Sequence, residues 1–304
     1  MSSDEKLDQI LSDLELIKNH LKIVPDKFAT VTDIETKIEH YEEYAVNELG
    51  ISQSTANNQK SAIRGFLNFS EGVINKDTVK EYLESNDSAS WKSNQLKALR
   101  KFIRDYLGLG NWINEFVFSK EKAKIKKAIP NADQLALFCS RLDYQVQMIF
   151  LILVTSGLRV GEILELELDD INFETNMIDV SKIHQSKNKS SWLSFMTNQA
   201  MEFIADYVEH LTAEKLFSIS YKSVQENFQK VSEETGIKIN PHLLRTVFTE
   251  KCTKSGIEEK YIDAFCGRIP QSVIRKHYTD YSPEAMKIHY DTVEPFLMLP
   301  FDES

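Results

Sequence analysis

The sequence is poor in cysteine and has no long apolar run. Its 3 cysteines, Cys139, Cys252 and Cys266, contain no C-x-x-C pair, which excludes a disulfide framework and a zinc module. No stretch approaches the ~20 apolar residues of a membrane span. The N-terminus MSSDEKLDQI is acidic, whereas a secretory signal is basic and then apolar. These absences predict a cytoplasmic protein without a membrane partner.

Positive charge is also scarce, since 36 Lys and Arg stand against 46 Asp and Glu, a net charge of −10. Taken alone, this balance argues against a nucleic-acid partner. Its distribution argues otherwise, because residues 60–129 carry 14 basic and 8 acidic side chains while both flanks are acidic. Hydrophobic residues make up 42% of the chain, which suits packed cores rather than disorder.

The N-terminal residues 1–25 show a heptad pattern that ends at Pro25. A stripe of this kind predicts a helix that contacts protein. With fewer than three heptads, self-association and docking on its own chain remain equal alternatives. The apolar positions are Leu7, Ile10, Leu14, Ile17, Leu21 and Val24.

Residues 32–118 are predicted to form a bundle of short amphipathic helices. Ser52 or Ser54 is suited to cap a helix that turns Ala62, Phe66 and Phe69 inward. The helix SASWKSNQLKALRKFIRDYLG follows it and buries Trp91, Leu96, Leu99, Ile103 and Leu107. Together these two helices present a basic face for DNA, with an ordinary solvated surface as the alternative. The basic residues are Lys60, Arg64, Lys92, Lys97, Arg100, Lys101 and Arg104.

Residues 119–131 are predicted to be a basic linker between two domains. Pro130 and a following Asn/Asp turn signal end the segment. A basic linker beside a basic bundle is suited to lie along a phosphate backbone. Its lysines are Lys120, Lys122, Lys124, Lys126 and Lys127.

Residues 132–304 are predicted to be a second, mostly helical domain. The run YQVQMIFLILVTSG is apolar nearly all round and predicts a buried helix, after which LRVGEILELEL begins another. The β-like runs MIDV and WLSFM flank a lysine-rich turn and predict a small hairpin or three-stranded sheet. The predicted fold class is therefore mainly α with a small β-sheet.

Several polar residues of this domain indicate a function when their order along the chain is considered together. Arg159 follows the buried helix, a lysine hairpin comes next, and His242 and Arg245 lie three apart on one helix face. Converging cations of this kind would repel one another unless a phosphate lay among them. A nucleophile beside that phosphate would complete a phosphoryl-transfer site in which guanidinium groups replace a metal. No metal-ligand pattern is present, so no metal or cofactor is expected.

The motifs TSGLRVGEILEL, HQSKNKSSW, PHLLRTVF and FCGRIPQSVIRKHYTDYSP resemble, in order and spacing, the signature of the tyrosine recombinase (phage integrase) family, which includes Xer recombinases. The last motif is most similar to integrases of archaeal fuselloviruses, in which an arginine, here Arg268, replaces the histidine of most members. The upstream stretch NELGISQSTANNQKSAIRGFLNF resembles the family's helical core-binding (SAM-like) domain.

This resemblance implies a role for each matching residue. Arg159 and Arg245 would clamp the scissile phosphate, Arg268 would add a donor to it, and His242 would transfer the proton of the nucleophile. Glu162 would orient Arg159.

The resemblance also implies a general acid and a nucleophile. Lys187 would protonate the departing 5′-hydroxyl, with Lys189 as its competitor because the hairpin is short. Tyr278 would attack phosphorus and form a 3′-phosphotyrosyl intermediate. The context H-Y-T-x-x-S-P favours Tyr278 over Tyr281, for which packing is expected.

The implied function is metal-independent, site-specific cutting and rejoining of DNA for a virus, plasmid or other mobile element. The partners would be double-stranded DNA at an attachment or recombination site and further protomers in a tetramer. The amphipathic segment AMKIHYDTVEPFLMLP is a candidate contact with a neighbouring protomer. The alternatives are a catalytically inactive DNA-binding accessory protein and a type IB topoisomerase-like relaxing activity.

Overall fold

The computed structural model describes residues 31–117, 129–183, 193–211, 215–268 and 279–301, with the backbone only for residues 31–35. The chain divides into two compact units, residues 1–126 and 127–304. Three predicted features lie outside the described residues, namely the heptad helix at 1–25, the linker lysines, and the segments with Lys187, Lys189 and Tyr278.

The first unit is a helical bundle with its own apolar core. Ser52 caps the second helix, as one of the two predicted alternatives, and accepts a hydrogen bond from the backbone N–H of Thr55. The ring of Tyr41 meets Phe102 edge to face with centroids 5.5 Å apart. The helices are α1 (Val31–Asn47), α2 (Gln53–Phe69), α3 (Lys76–Glu84) and α4 (Ala89–Arg100).

Two details of this bundle differ from the predicted helices. The helix that begins at Ala89 continues beyond Arg100 as a π-helical turn, Lys101–Tyr106; Ile103 in this turn is buried, and the following Leu107 is partly buried against the core. The prediction that Phe69 points inward is wrong, because its side chain is 47% exposed. As the last residue of α2, it covers only the edge of Tyr82, with ring centroids 5.3 Å apart.

The second unit is built around one buried helix. Helix α5 (Ala132–Ser140) precedes α6 (Tyr144–Ser156), in which every residue from Met148 to Ser156 is buried. This burial confirms the interpretation of the run YQVQMIFLILVTSG. The predicted helix LRVGEILELEL forms only one turn, α7 (Val160–Ile163). The backbone then leaves the helical path, and the carbonyl of Leu166 accepts a hydrogen bond from the backbone N–H of Leu216.

A small antiparallel sheet lies beside the end of α6. Its strands are β1 (Ile171–Asn172), β2 (Met177–Asp179) and β3 (Leu193–Phe195), in the order β1-β2-β3. Ser194 pairs with Ile178 in the register of β2 and β3. The sheet matches the predicted β-like runs.

The remaining helices surround α6. Helix α10 packs on α6, as does α8, and the apolar side of α12 packs into a core shared with β3 and α11. These helices are α8 (Asn198–Glu209), α9 (Tyr221–Thr235), α10 (Pro241–Lys254), α11 (Glu259–Phe265) and α12 (Pro283–Leu297). The predicted fold class, mainly α with a small β-sheet, is confirmed.

Candidate active site

Arg159 stands just after the buried helix α6, at the start of the one-turn helix α7. Its guanidinium lies 2.7 Å from Glu162 Oε1, and its backbone N–H donates to Oε2 of the same carboxylate, also at 2.7 Å. Glu162 is only 4% exposed. One carboxylate therefore holds both the backbone and the side chain of Arg159.

Arg245 lies on α10, whose N-terminus is capped by Asn240. Its Nη1 donates to the carbonyl of Gly157 at 2.7 Å, and its Nη2 donates to the carbonyl of Cys266. The side chain is buried, with 6% exposure. His242, one turn earlier on the same helix, is exposed to solvent.

Arg268 follows the end of α11. Its guanidinium lies 2.9 Å from Asp263 Oδ1, and its backbone N–H donates to the Asp263 carbonyl at 2.8 Å. Arg159 Nη2 donates to the carbonyl of Gly267 at 3.3 Å. The turn at 266–268 thus contains Arg268, and its backbone carbonyls accept hydrogen bonds from Arg159 and Arg245.

Three of the predicted cationic residues therefore meet at one place. Burial lowers the pKa of the Arg245 guanidinium, and the positive charges of Arg159 and Arg268 lower it further. An arginine nevertheless keeps its charge at neutral pH. The result is a compact positive cluster whose guanidinium groups are held by hydrogen bonds within the protein.

The three arginines of this cluster also have partners within the protein. Glu162 neutralises Arg159, Asp263 neutralises Arg268, and backbone carbonyls solvate Arg245. Charge-assisted hydrogen bonds of this kind offset both repulsion and desolvation. These contacts orient the three guanidinium groups.

Several residues that hold the arginine cluster and the neighbouring end of α6 were not predicted from the sequence. Asp263 carries the opposite charge five residues before Arg268, a pattern that charge spacing could have revealed. Ser194 is a polar residue inside an apolar strand, which is a signal of a buried hydrogen bond. The carbonyls of Gly157, Cys266 and Gly267 give no signal, because every residue has one.

Tyr281 is the candidate nucleophile that lies within the described residues. It is partly buried, and its ring packs edge-on against Tyr261 with centroids 6.1 Å apart. This placement agrees with a packing residue. Lys187, Lys189 and Tyr278 fall outside the described part of the chain.

The predicted basic face of the first unit is only partly free for a ligand. Lys60 lies 2.6 Å from Glu42, and Arg104 pairs with Asp105. Arg100 donates to the backbone carbonyl of Phe116 at 2.6 Å. Arg64 also has a partner, whereas Lys97 is exposed and Lys92 and Lys101 are half-buried.

The described residues contain neither a metal-binding cluster nor a membrane-spanning helix. No group of three or more His, Cys, Asp or Glu in that part of the chain is placed to hold a metal ion. Within the same ranges, no helix has the length and apolar character needed to cross a bilayer.

Residues 121–284 match the phage integrase family. The chain belongs to this family of tyrosine recombinases. The matched range includes all four described site residues and also Lys187 and Tyr278. The family assignment made from the four motifs is thereby confirmed.

Curated relatives of this tyrosine recombinase include Xer proteins of archaea and bacteria. The tyrosine recombinase XerA of Saccharolobus solfataricus is 26% identical over 232 residues, which cover 68% of this chain and 76% of the relative. The tyrosine recombinase XerS of Streptococcus sanguinis is 25% identical, and the match covers 64% of this chain and 59% of the relative.

Solved integrases share the fold of this tyrosine recombinase. A lambda integrase dimer bound to a COC′ core site aligns with a TM-score of 0.64 and 18% identity, covering 92% of this chain and 88% of that chain. The Tn1549 transposon integrase in complex with circular intermediate DNA aligns with a TM-score of 0.63 and 15% identity, covering 83% and 98%. Likeness at this level of identity describes architecture alone.

Proposed function

We propose that this tyrosine recombinase cuts and rejoins double-stranded DNA at a specific site through a 3′-phosphotyrosyl intermediate. The observation that carries the proposal is the arginine cluster, in which Arg159, Arg245 and Arg268 meet around the carbonyls of Gly157 and of the turn at 266–268. A cytoplasmic location is part of this proposal.

The arginines bind the scissile phosphate and stabilise the charge that develops on it. Each guanidinium has five N–H donors in a fixed plane. Arg245 uses two of them on carbonyls, which leaves donors for the non-bridging oxygens. Donors that are already oriented lower the barrier, because they need no reorganisation as charge accumulates in the transition state.

Tyr278 is the proposed nucleophile, and its reaction balances without an external reagent. Its hydroxyl oxygen forms a bond to phosphorus while the bond from phosphorus to the 5′-oxygen breaks. His242 accepts the tyrosine proton, and Lys187, or Lys189 in its place, donates a proton to the departing oxygen. The phosphotyrosyl bond then reacts with a 5′-hydroxyl to reseal DNA.

The first unit is the proposed second contact with DNA. Lys97 is exposed on α4, and Lys92 and Lys101 lie on or next to that helix. Cations of this kind neutralise backbone phosphates and release counterions. The proposed domain bounds are 32–118 for the DNA-binding bundle, 119–131 for the basic linker and 132–304 for the catalytic domain.

A tetramer on DNA is the proposed assembly. It is supported by the likeness to a lambda integrase tetramer bound to a Holliday junction, with a TM-score of 0.63 and 17% identity over 90% of this chain. The apolar side of α12 is occupied within its own unit by Met286, Tyr290, Val293 and Leu297. A protomer contact through this helix would therefore use its outer residues, of which Ile288 is 68% exposed.

The decisive experiment is covalent trapping on a nicked suicide DNA that carries the candidate attachment site, in the presence of EDTA. The wild-type protein should form an SDS-resistant adduct. Tyr278→Phe should abolish the adduct, and Tyr281→Phe should retain it because Tyr281 packs against Tyr261.

Other outcomes would redirect the assignment. An adduct that disappears only in Tyr281→Phe would transfer the nucleophilic role to that residue. DNA binding without any adduct, on a panel of candidate sites, would favour the catalytically inactive accessory protein. Relaxation of supercoiled DNA without site preference would favour the topoisomerase-like alternative.

A further inference from the structure

The C-terminal end of helix α6 has an unusual set of hydrogen-bond partners. A helix leaves its last four carbonyls without partners inside the helix, and a buried carbonyl without a hydrogen bond is costly. At the end of α6, the carbonyls of its last two residues and of the following Gly157 each accept a hydrogen bond from a side chain of a different element. The donors are Tyr290 of α12 to Thr155 (2.8 Å), Ser194 of β3 to Ser156 (2.6 Å) and Arg245 of α10 to Gly157 (2.7 Å).

These bonds join parts of the chain that are far apart in sequence. Tyr290 is 135 residues from its acceptor, Ser194 is 38 and Arg245 is 88. The hydroxyl donors are fully buried, since Tyr290 and Ser194 are both 0% exposed. Water therefore does not compete for them, and each bond fixes the position of its own element relative to the end of α6.

Each donor element adjoins a segment with a proposed catalytic residue. Strand β3 begins at Leu193, directly after the hairpin that contains Lys187. Helix α12 begins at Pro283, five residues after Tyr278. The end of α6 itself leads into Arg159.

We infer that the end of α6 is a frame on which the catalytic segments are aligned, with Ser194 and Tyr290 as positioning residues. The inference rests on the proposed function. Ser194 sets the base of the lysine hairpin, and hence the general acid. Tyr290 sets α12, and hence the downstream end of the nucleophile segment.

Two substrates with different leaving groups distinguish the role of Ser194 from that of Tyr290. A 5′-bridging phosphorothiolate replaces the departing oxygen with sulfur. Because a thiol has a pKa of about 8.5, the sulfur departs without a proton from a general acid. A misplaced general acid therefore slows cleavage of the phosphodiester only, whereas a misplaced nucleophile slows cleavage of both substrates.

The test compares single-turnover adduct formation on the two substrates for Ser194→Ala, Tyr290→Phe and the matched control Tyr207→Phe. Tyr207 is also a buried tyrosine, and its hydroxyl donates to the carbonyl of Leu216 at 2.9 Å, away from the arginine cluster. Tyr207→Phe thus removes the same kind of bond without removing a partner of the C-terminal carbonyls of α6.

We expect Tyr290→Phe to be ~10- to 100-fold slower than wild type on both substrates, with an unchanged DNA concentration for half-saturation. Ser194→Ala should be slower on the phosphodiester and return to the wild-type rate on the phosphorothiolate. Tyr207→Phe should match wild type on both. The ratio between the two substrates is unaffected by partial unfolding, because both rates come from the same folded fraction.

Three results would overturn the inference: wild-type rates for both variants, a Ser194→Ala defect that persists on the phosphorothiolate, or a Tyr207→Phe defect as large as that of Tyr290→Phe. The wild-type protein separates this inference from the proposed function. If wild type forms no adduct on either substrate, the proposed function fails, and the positioning roles fail with it.

Discussion

Replacing Gly157 with alanine tests the turn that links α6 to Arg159. Gly157 has a φ of +69°, in the left-handed region that favours glycine. A Cβ added there would lie 2.3 Å from Cδ1 of Phe248, whose ring is fully buried. The Gly157→Ala variant therefore combines backbone strain with overpacking, at the residue whose carbonyl binds Arg245.

The free-energy costs of backbone strain and of overpacking can be added. A left-handed conformation costs a residue with a Cβ about 1–2 kcal/mol, and overpacking a well-filled core costs about 1–3 kcal/mol. The second unit should thus lose about 2–5 kcal/mol of unfolding free energy. For a unit of this size, that loss lowers Tm by about 4 to 20 °C, which calorimetry would measure.

The matched control is Gly236→Ala at the end of α9. Gly236 has a φ of +72°, and nothing lies within 4 Å of an added Cβ. Only the strain of about 1–2 kcal/mol applies there. If the two variants lost the same stability, the clash with Phe248 would have no energetic weight and the reasoning would be refuted.

Three further predictions concern charge and reactivity. Lys97→Gln should lower the slope of log K against log salt for DNA binding by about 1, and Lys60→Gln should change that slope less, because its ammonium already pairs with a carboxylate. Glu162→Gln should cost about 1.5–3 kcal/mol in thermal unfolding and slow adduct formation, since Arg159 loses its charged partner; unchanged stability and rate would contradict this. Burial raises the pKa of the Cys139 thiol to about 12, so mass spectrometry should find it unalkylated by iodoacetamide at pH 8 in the folded protein and alkylated after denaturation.

Much of the fold could be predicted because the hydrophobic patterns are strong. The run from Tyr144 to Ser156 is apolar on all sides, and only a central helix can bury such a surface. The β-like runs MIDV and WLSFM were recognisable because their hydrophobic patterns are also strong. The inward orientation of Phe69 was mispredicted because the helical period ignores the fact that the last residue of a helix has neighbours on one side only.

The site could be predicted as a set of residues but not as a geometry. The order of Arg159, Arg245 and Arg268 in their motifs suggested that they act together. Their partners within the protein could not be foreseen from the pattern, because the contacts with Asp263 and with backbone carbonyls are decided by tertiary packing. Similarly, the pairing of Lys60 with an acidic residue on another helix has no local sequence signal.

The carbonyl contacts of the arginine cluster also bear on how the protein is synthesised. Arg159 leaves the ribosome 108 residues before Gly267, whose carbonyl it binds, and contacts of such long range form late in folding. A nascent chain that ends before α11 therefore contains Arg159 and its partner Glu162 but lacks the Gly267 carbonyl that Arg159 binds and the Cys266 carbonyl that Arg245 binds. The complete set of arginine contacts thus forms only after the ribosome has synthesised the chain past the turn at 266–268.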